Sequence, residues 1–113
     1  MMRLRFHTPA LAAVCNHQAE LERKWGQLIA TEIRRRLCLL ASVPNLALLA
    51  RFPGVLESPI RVDGRGRFSV KVRTNCLILL QPDHDPIPYL PSGKLACKDV
   101  EHLIILEVNG YGL

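Results

Sequence analysis

Hydrophobic residues recur with two different periods in the two halves of this 113-residue sequence. In the first half they recur every three to four residues, as on one face of an α-helix. In the second half, residues 67–73 alternate strictly between polar and apolar types, which is the period of a β-strand with one buried face. A helical layer followed by such strands predicts an α+β domain, and the 49% content of hydrophobic residues excludes a disordered chain.

The first half of the chain predicts one strand and a helical hairpin. Residues 2–7 alternate between apolar and polar types, as in a strand, and Thr8 before a proline is a typical helix N-cap. Gly26 predicts the joint between the two helices, of which the second extends to about residue 42. A short helical turn is expected at residues 45–52.

The second half predicts four strands, with a turn and a proline-rich loop among the connections. The strands are expected at residues 55–62, 67–73, 76–80 and 102–108. Residues 63–66 have the composition of a hairpin tip, and the run at residues 76–80 is apolar enough for burial on both faces. We therefore expect a single domain over residues 1–113, with two helices packed on one side of an antiparallel sheet of about four to five strands.

Charge and cysteine content narrow the class of protein. A net charge of +5 favours a polyanionic partner, either a nucleic acid or an acidic protein segment. No apolar run reaches the roughly 18–20 residues of a membrane helix and no signal-type stretch opens the chain, so we expect a cytoplasmic protein without a membrane partner. The wide spacing of the cysteines predicts reduced thiols in or near the core rather than a zinc site. The cysteines are Cys15, Cys38, Cys76 and Cys97.

The alternating strand concentrates positive charge on one face. Residues 58–73 carry five cationic side chains and the single acid Asp63. These cations are Arg61, Arg65, Arg67, Lys71 and Arg73. The apolar residues of the strand are expected to face the helices and the cationic ones to share the other face, which predicts a surface that binds nucleic acid. An ordinary solvated sheet face is the alternative interpretation, although such a face usually mixes charges of both signs.

Two further polar clusters are weaker candidates for a site. Residues 34–36, near the end of the second helix, either interact favourably with the helix dipole or add a second basic patch through Arg34 and Arg35. The Asp-His-Asp sequence at residues 83–85 lies in the proline-rich loop, where chance polarity explains it better than a metal or acid/base site. No glycine-rich phosphate-binding loop and no catalytic motif of the Ser-His-Asp kind is present, so neither a cofactor nor a metal is expected.

Six short motifs occur in order along essentially the whole chain. They are Arg-Leu-Arg-Phe at residues 3–6, Leu-Glu-Arg-Lys-Trp-Gly at 21–26, Ile-Arg-Arg-Arg-Leu at 33–37, Asn-Leu at 45–46, Asp-Gly-Arg-Gly-Arg-Phe-Ser-Val at 63–70 and Leu-Ile-Ile-Leu-Glu-Val at 103–108. In this order and spacing they resemble the RelE/ParE superfamily of bacterial toxins, and within it the HigB-like plasmid maintenance killer branch. The resemblance implies a RelE-like fold, with an N-terminal strand and a two-helix hairpin packed on the sheet.

The resemblance also implies the toxin of a type II toxin–antitoxin system, held inactive by a co-encoded antitoxin that is often a helix-turn-helix protein. It further implies that the protein cuts mRNA on the ribosome, which is the activity of most proteins in this branch. Such a cut needs a base for the 2′-hydroxyl, cations for the phosphorane charge and an acid for the 5′-oxygen. Lys71 is then the candidate base, and Arg67 and Arg73 are candidate phosphate contacts. Tyr111 is the candidate acid or base-stacking residue.

The sequence departs from the pattern of this branch at three positions. Ser58 and Gly112 stand where histidines are usual, and Leu77 stands where an arginine usually opens the next strand. Loss of one arginine that steadies a transition state costs on the order of 10²–10³ in rate. Two hypotheses therefore remain: an mRNA endoribonuclease, or a non-catalytic relative that binds a protein partner such as an antitoxin or DNA gyrase.

Overall fold

The computed structural model describes residues 2–49, 51, 67–73 and 76–110, which form a mixed α+β fold. Within these residues the helices are α1 (Pro9–Cys15), α2 (Gln18–Trp25), α3 (Gln27–Ser42) and α4 (Leu46–Leu49), with a short 3₁₀ helix at Cys97–Asp99. The strands are β1 (Arg3–Phe6), β2 (Phe68–Arg73), β3 (Cys76–Pro82) and β4 (His102–Gly110). The strand predicted at residues 55–62 and the turn predicted at residues 63–66 lie outside the described residues.

The predicted first helix is interrupted and forms the two short helices α1 and α2. Thr8 caps α1 as predicted, because its Oγ1 accepts a hydrogen bond from the Leu11 N–H at 3.1 Å. At the break, His17 has an extended backbone, and its ring Nδ1 lies 2.7 Å from the carbonyl oxygen of Ala13. Asn16 and His17 are both weak helix formers, which explains why the helix ends and begins again at this point.

The joint and the second helix follow the prediction closely. Gly26 adopts a φ of +85°, a region that glycine enters without the steric cost of a Cβ atom, so the predicted joint is confirmed. The amphipathic helix α3 buries Ile33 and Leu40 and ends where Val43, which precedes a proline, becomes extended. The short α4 lies within the helical turn predicted at residues 45–52. Neither α3 nor any other helix in the described part of the chain is long and apolar enough to cross a membrane.

The sheet has the strand order β1-β4-β3-β2 and is mixed rather than antiparallel. The β2–β3 and β3–β4 pairs are antiparallel, as predicted. The β1–β4 pair is parallel, with Leu4 opposite Leu103 and Phe6 opposite Ile105, so the prediction of a wholly antiparallel sheet is wrong. The alternation of side chains has a period of two in parallel and antiparallel strands alike, and therefore does not encode strand direction.

The hydrophobic core lies between the helices and one face of the sheet. It includes Leu21, Ile33, Leu40, Leu46, Val70, Ile78, Leu80, Leu103 and Ile105. In β3, Cys76, Ile78 and Leu80 are buried, whereas Leu77 and Leu79 are only half-buried. The prediction that residues 76–80 are buried on both faces is therefore wrong, because the described helices pack against one face of the sheet.

The cysteines are free thiols with different exposures. Cys15 and Cys76 are buried and Cys97 is half-buried, as predicted, whereas Cys38 is exposed on α3 and departs from the prediction. Burial raises the pKa of the Cys15, Cys76 and Cys97 thiols. These three side chains are thereby held in the neutral thiol form, which is the less nucleophilic one.

Candidate nucleic-acid interface

The candidate interface is the outer face of the sheet, defined as the face that carries Arg67, Ser69 and Lys71. Lys71 is exposed, and Arg67 and Ser69 are half-buried. The buried residues between and beyond them are Phe68, Val70 and Val72. The predicted alternation is therefore confirmed for residues 67–72, and it turns the cationic side chains away from the core.

Lys71 is placed by contacts with β3 and α3. It lies opposite Leu77 in the β2–β3 ladder, and its carbonyl oxygen accepts a hydrogen bond from Arg36 Nε at 2.8 Å. Because Arg36 binds the backbone of Lys71, the ammonium group of Lys71 does not take part in this contact. The register then shifts, so that Arg73 pairs with Cys76. This bulge interrupts the alternation on which the prediction for Arg73 rested, and the side chain of Arg73 lies outside the part of the chain that the structure describes.

A row of side chains crosses the outer face from β2 to β1. Arg5 of β1 and Gln81 of β3 both pair with Ile104 of β4. Arg67, just before β2, donates from Nε to Oε1 of Gln81 at 3.4 Å. Since neighbouring strands are about 4.8 Å apart, the backbone positions of Arg67 and Arg5 are separated by roughly 14 Å across the sheet.

A two-point ion pair links Arg5 to Asp83, the residue directly after β3. Nε and Nη2 of Arg5 donate to the two carboxylate oxygens of Asp83, each at 3.0 Å. The hydrogen bond from Arg5 lowers the pKa of Asp83, and the same contact raises the pKa of Arg5. Both groups are therefore charged at neutral pH, and the carboxylate offsets one of the cations on the outer face.

These residues line a shallow cleft of about 580 Å³ on the outer face. Its polar lining, here called the rim, consists of Arg5, His7, Arg67, Gln81 and Asp83, and its apolar lining, here called the floor, of Ile104 and Leu106. His7 is exposed, and its backbone N–H donates to the carbonyl oxygen of Ile105 at 2.9 Å, so the parallel ladder continues one residue beyond β1. A cleft with cations and hydrogen-bond acceptors beside an apolar floor suits a ligand that combines phosphates with uncharged ring systems, as a nucleic-acid strand does.

Sequence reasoning did not assign Arg5, His7 and Gln81 to the site. The alternation of residues 2–7 did contain the signal that Arg5 and His7 share one face of a strand. It did not show that β1 lies beside β4, so it could not place those side chains on the same face of the sheet as Arg67.

Arg34 and Arg35 lie in the helical layer and do not join Lys71 on the outer face. Arg34 lines a separate cleft formed by α1, α3 and β1, and Arg35 forms an ion pair with Glu32 on α3, with Nη1 and Oε1 3.0 Å apart. Because α3 continues well beyond these residues and its last turn contains no basic side chain, the helix-dipole interpretation of residues 34–36 is wrong.

Several predicted positions lie outside the described residues. They are the candidate site residues Arg61, Arg65 and Tyr111, and the departures Ser58 and Gly112. The third departure, Leu77, is described and is half-buried opposite Lys71. An aliphatic side chain thus stands beside the candidate base at the position where the resemblance implied an arginine.

The polar residues of the loop after β3 make specific contacts with β1 and with the start of β4. Asp83 binds Arg5, and Nε2 of His84 accepts hydrogen bonds from the backbone N–H groups of Glu101 at 3.1 Å and His102 at 3.2 Å. This arrangement needs a ring whose Nε2 is unprotonated. The interpretation as chance polarity is therefore wrong for Asp83 and His84. In the described part of the chain, no three His, Cys, Asp or Glu side chains are grouped so that they could hold a metal ion.

Replacing Asp83 by asparagine is expected to make the free energy of unfolding less sensitive to acid. Pairing lowers the folded-state pKa of this carboxyl, so the pair stabilises the protein above the unfolded-state pKa of about 3.9, and the contribution disappears as the pH falls through the folded-state pKa. Because the pair is partly exposed, solvent screens the attraction and the expected contribution to stability is small.

Urea unfolding near about pH 6 and about pH 3 measures this effect. Between the two conditions the wild-type protein should lose more stability than Asp83→Asn. Asp99→Asn, at an exposed position of the 3₁₀ helix, is the matched control and should behave as the wild type does. The same pH response in wild type and Asp83→Asn would contradict a stabilising role for the pair.

Comparison of the chain with protein-family models, with curated proteins and with solved structures finds no match.

Proposed function

We propose that this protein is the toxin of a bacterial type II toxin–antitoxin system and that it acts in the cytoplasm by cleaving mRNA on the ribosome. The observation that carries the proposal is the exposed position of Lys71, on the same sheet face as Arg67, while the alternate residues of the strand are buried. The chain order of one strand, a helical layer and then three described strands is compatible with the RelE-like fold that the motifs imply.

The proposed reaction is an internal transesterification of the RNA backbone. Lys71 takes the proton of a 2′-hydroxyl, and that oxygen attacks the neighbouring phosphorus. The bond from phosphorus to the 5′-oxygen breaks, and the departing oxygen receives a proton, in this proposal from Tyr111. The products are a 2′,3′-cyclic phosphate and a free 5′-hydroxyl. Arg67 contacts the phosphate and stabilises the negative charge that grows in the transition state.

The proposal includes a co-encoded antitoxin that covers the outer face. An antitoxin that blocks an RNA site must present negative charge to the same cations, because opposite charges across an interface direct the two partners together. Exposed Lys71 and half-buried Arg67 are suitable contacts for such an acidic segment.

A second candidate function is supported by Leu77. A leucine opposite Lys71 cannot stabilise a phosphorane, which is the role that an arginine would serve at this position. This observation favours a non-catalytic member of the same fold that binds a protein, either an antitoxin or a target such as DNA gyrase.

Inducible expression of the full chain in a bacterial host tests the two functions. The proposed function predicts growth arrest together with new 5′ ends inside the reading frames of abundant transcripts, mapped by primer extension. Arrest without such ends would overturn mRNA cleavage and support a protein target. Normal growth in the presence of folded protein would overturn the toxin assignment and leave only a partner-binding role.

A further inference from the structure

We propose that the outer face binds single-stranded RNA across the strands, from Arg67 and Lys71 on the β2 side to His7 on the β1 side, and that His7 contacts a second phosphate. This inference rests on the proposed function, which supplies the RNA and the reacting phosphate near Lys71. It adds the direction of the RNA chain on the sheet and a binding residue directly after the N-terminal strand.

The charged surface of the cleft is too wide for one phosphate group to contact both of its sides. Arg67 and His7 line one continuous cleft, although they lie at opposite edges of the described four-stranded sheet. Three strand spacings separate those edges by roughly 14 Å, which is more than one phosphate group can bridge. An anion that contacts both sides must therefore carry at least two separated charges, as a polynucleotide does.

The second support is the distribution of charge at the β1 side of the cleft. Arg5 already donates two hydrogen bonds to Asp83, so the carboxylate offsets its charge there. The ring of His7 is exposed and makes no hydrogen bond to any described residue. An imidazole ring can donate to a phosphate oxygen in either of its protonation states, so His7 offers a donor at the β1 side that is not engaged by a described carboxylate.

The third support is the chemistry of the cleft between the two sides. Ile104 and Leu106 form an apolar floor on which a base or ribose can pack. Asp83 and Gln81 add hydrogen-bond acceptors to the rim, and RNA carries matching donors in its 2′-hydroxyls and exocyclic amines. The carboxylate side chains of an acidic polypeptide offer no such donors, so the mixed rim favours RNA as the occupant of this cleft.

Binding of a short 2′-O-methyl RNA oligonucleotide to the full chain tests the inference, because this probe cannot undergo the 2′-hydroxyl reaction and so separates binding from cleavage. His7→Ala is expected to weaken binding about three- to tenfold, the effect of one solvent-exposed charge-assisted contact. His7→Arg should retain wild-type affinity, since arginine also donates to phosphate. His17→Ala, which removes an exposed histidine from the helical layer, is the matched control and should bind as the wild type does.

The outcomes separate this inference from the proposed function. If Lys71→Ala and Arg67→Ala weaken binding but His7→Ala does not, the proposed contact between His7 and a second phosphate is wrong, and the proposed function stands. Equal losses in His7→Ala and His7→Arg would show that His7 does not act as a donor to phosphate, and would also overturn the inference. If the wild-type protein does not bind the RNA probe, the inference fails, whereas growth arrest and new mRNA 5′ ends after induction still decide the proposed function. Tighter binding of a polyglutamate peptide, lost in His7→Ala, would make an acidic polypeptide the occupant and overturn the assignment to RNA.

Discussion

A Lys71→Ala variant is expected to leave growth unaffected under induction conditions in which the wild-type protein arrests it. Removal of the proton acceptor should lower the rate of mRNA cleavage by about 10²–10⁴, the range that general base catalysis contributes. The substitution should preserve the fold, because Lys71 is exposed and the hydrogen bond from Arg36 goes to its backbone oxygen. Growth after induction and the rate at which new mRNA 5′ ends accumulate measure the effect.

Two further variants determine what Lys71 contributes. Lys94→Ala removes an exposed lysine outside the outer face and should remain fully toxic. Lys71→Arg keeps the positive charge but supplies a group that does not give up its proton in proteins, so it should be inactive if Lys71 is the base. Full activity of Lys71→Arg would show that Lys71 contributes its positive charge and does not act as the base. Continued arrest and cleavage by Lys71→Ala would contradict its assignment altogether.

Leu80→Ala is expected to lower the free energy of unfolding by about 2–5 kcal/mol. Leu80 is fully buried in β3, between Phe68 of β2 and Ile105 of β4, so its truncation leaves a cavity on the core face of the sheet. Domains of this size have total stabilities of about 5–15 kcal/mol, and the variant therefore loses a large fraction of that stability. Urea unfolding followed by circular dichroism measures the loss.

Leu28→Ala is the matched control for this measurement, since it makes the same chemical change at a residue of α3 that is 63% exposed. Its free energy of unfolding should remain within about 0.5 kcal/mol of the wild-type value. Similar losses at Leu28 and Leu80 would show that the core does not lie between the helices and the inner face of the sheet.

Local sequence patterns predicted most of the elements because the interactions that define them are local. The hydroxyl of Thr8 and the φ of Gly26 mark where helices begin and join, and both involve only neighbouring residues. The break between α1 and α2 was missed, since Asn16 and His17 only weaken a helix and a local pattern does not show whether the remaining contacts restore it.

In the candidate site, too, the positions that depend on one strand were predicted, and those that depend on strand pairing or packing were not. The alternation of residues 67–72 is a property of one strand, and it correctly placed Arg67 and Lys71 on the face opposite the core. The register shift before Arg73 depends on the pairing between β2 and β3, which no single strand encodes. Arg34 and Arg35 were predicted on the second helix, and only packing shows that they line clefts of the helical layer rather than the outer face.

The sequence by itself determined the α+β class, the helix joint and the cationic side of β2, because each follows from side-chain periods and backbone preferences that act within a few residues. Only the tertiary structure decided that β1 runs parallel to β4 and that Arg5, His7 and Asp83 share a cleft with Arg67. These residues are far apart in the chain, and backbone hydrogen bonds between strands carry no side-chain signature of which strands will pair. The positions of Arg5 and His7 beside Asp83 were therefore set by strand pairing rather than by any local pattern.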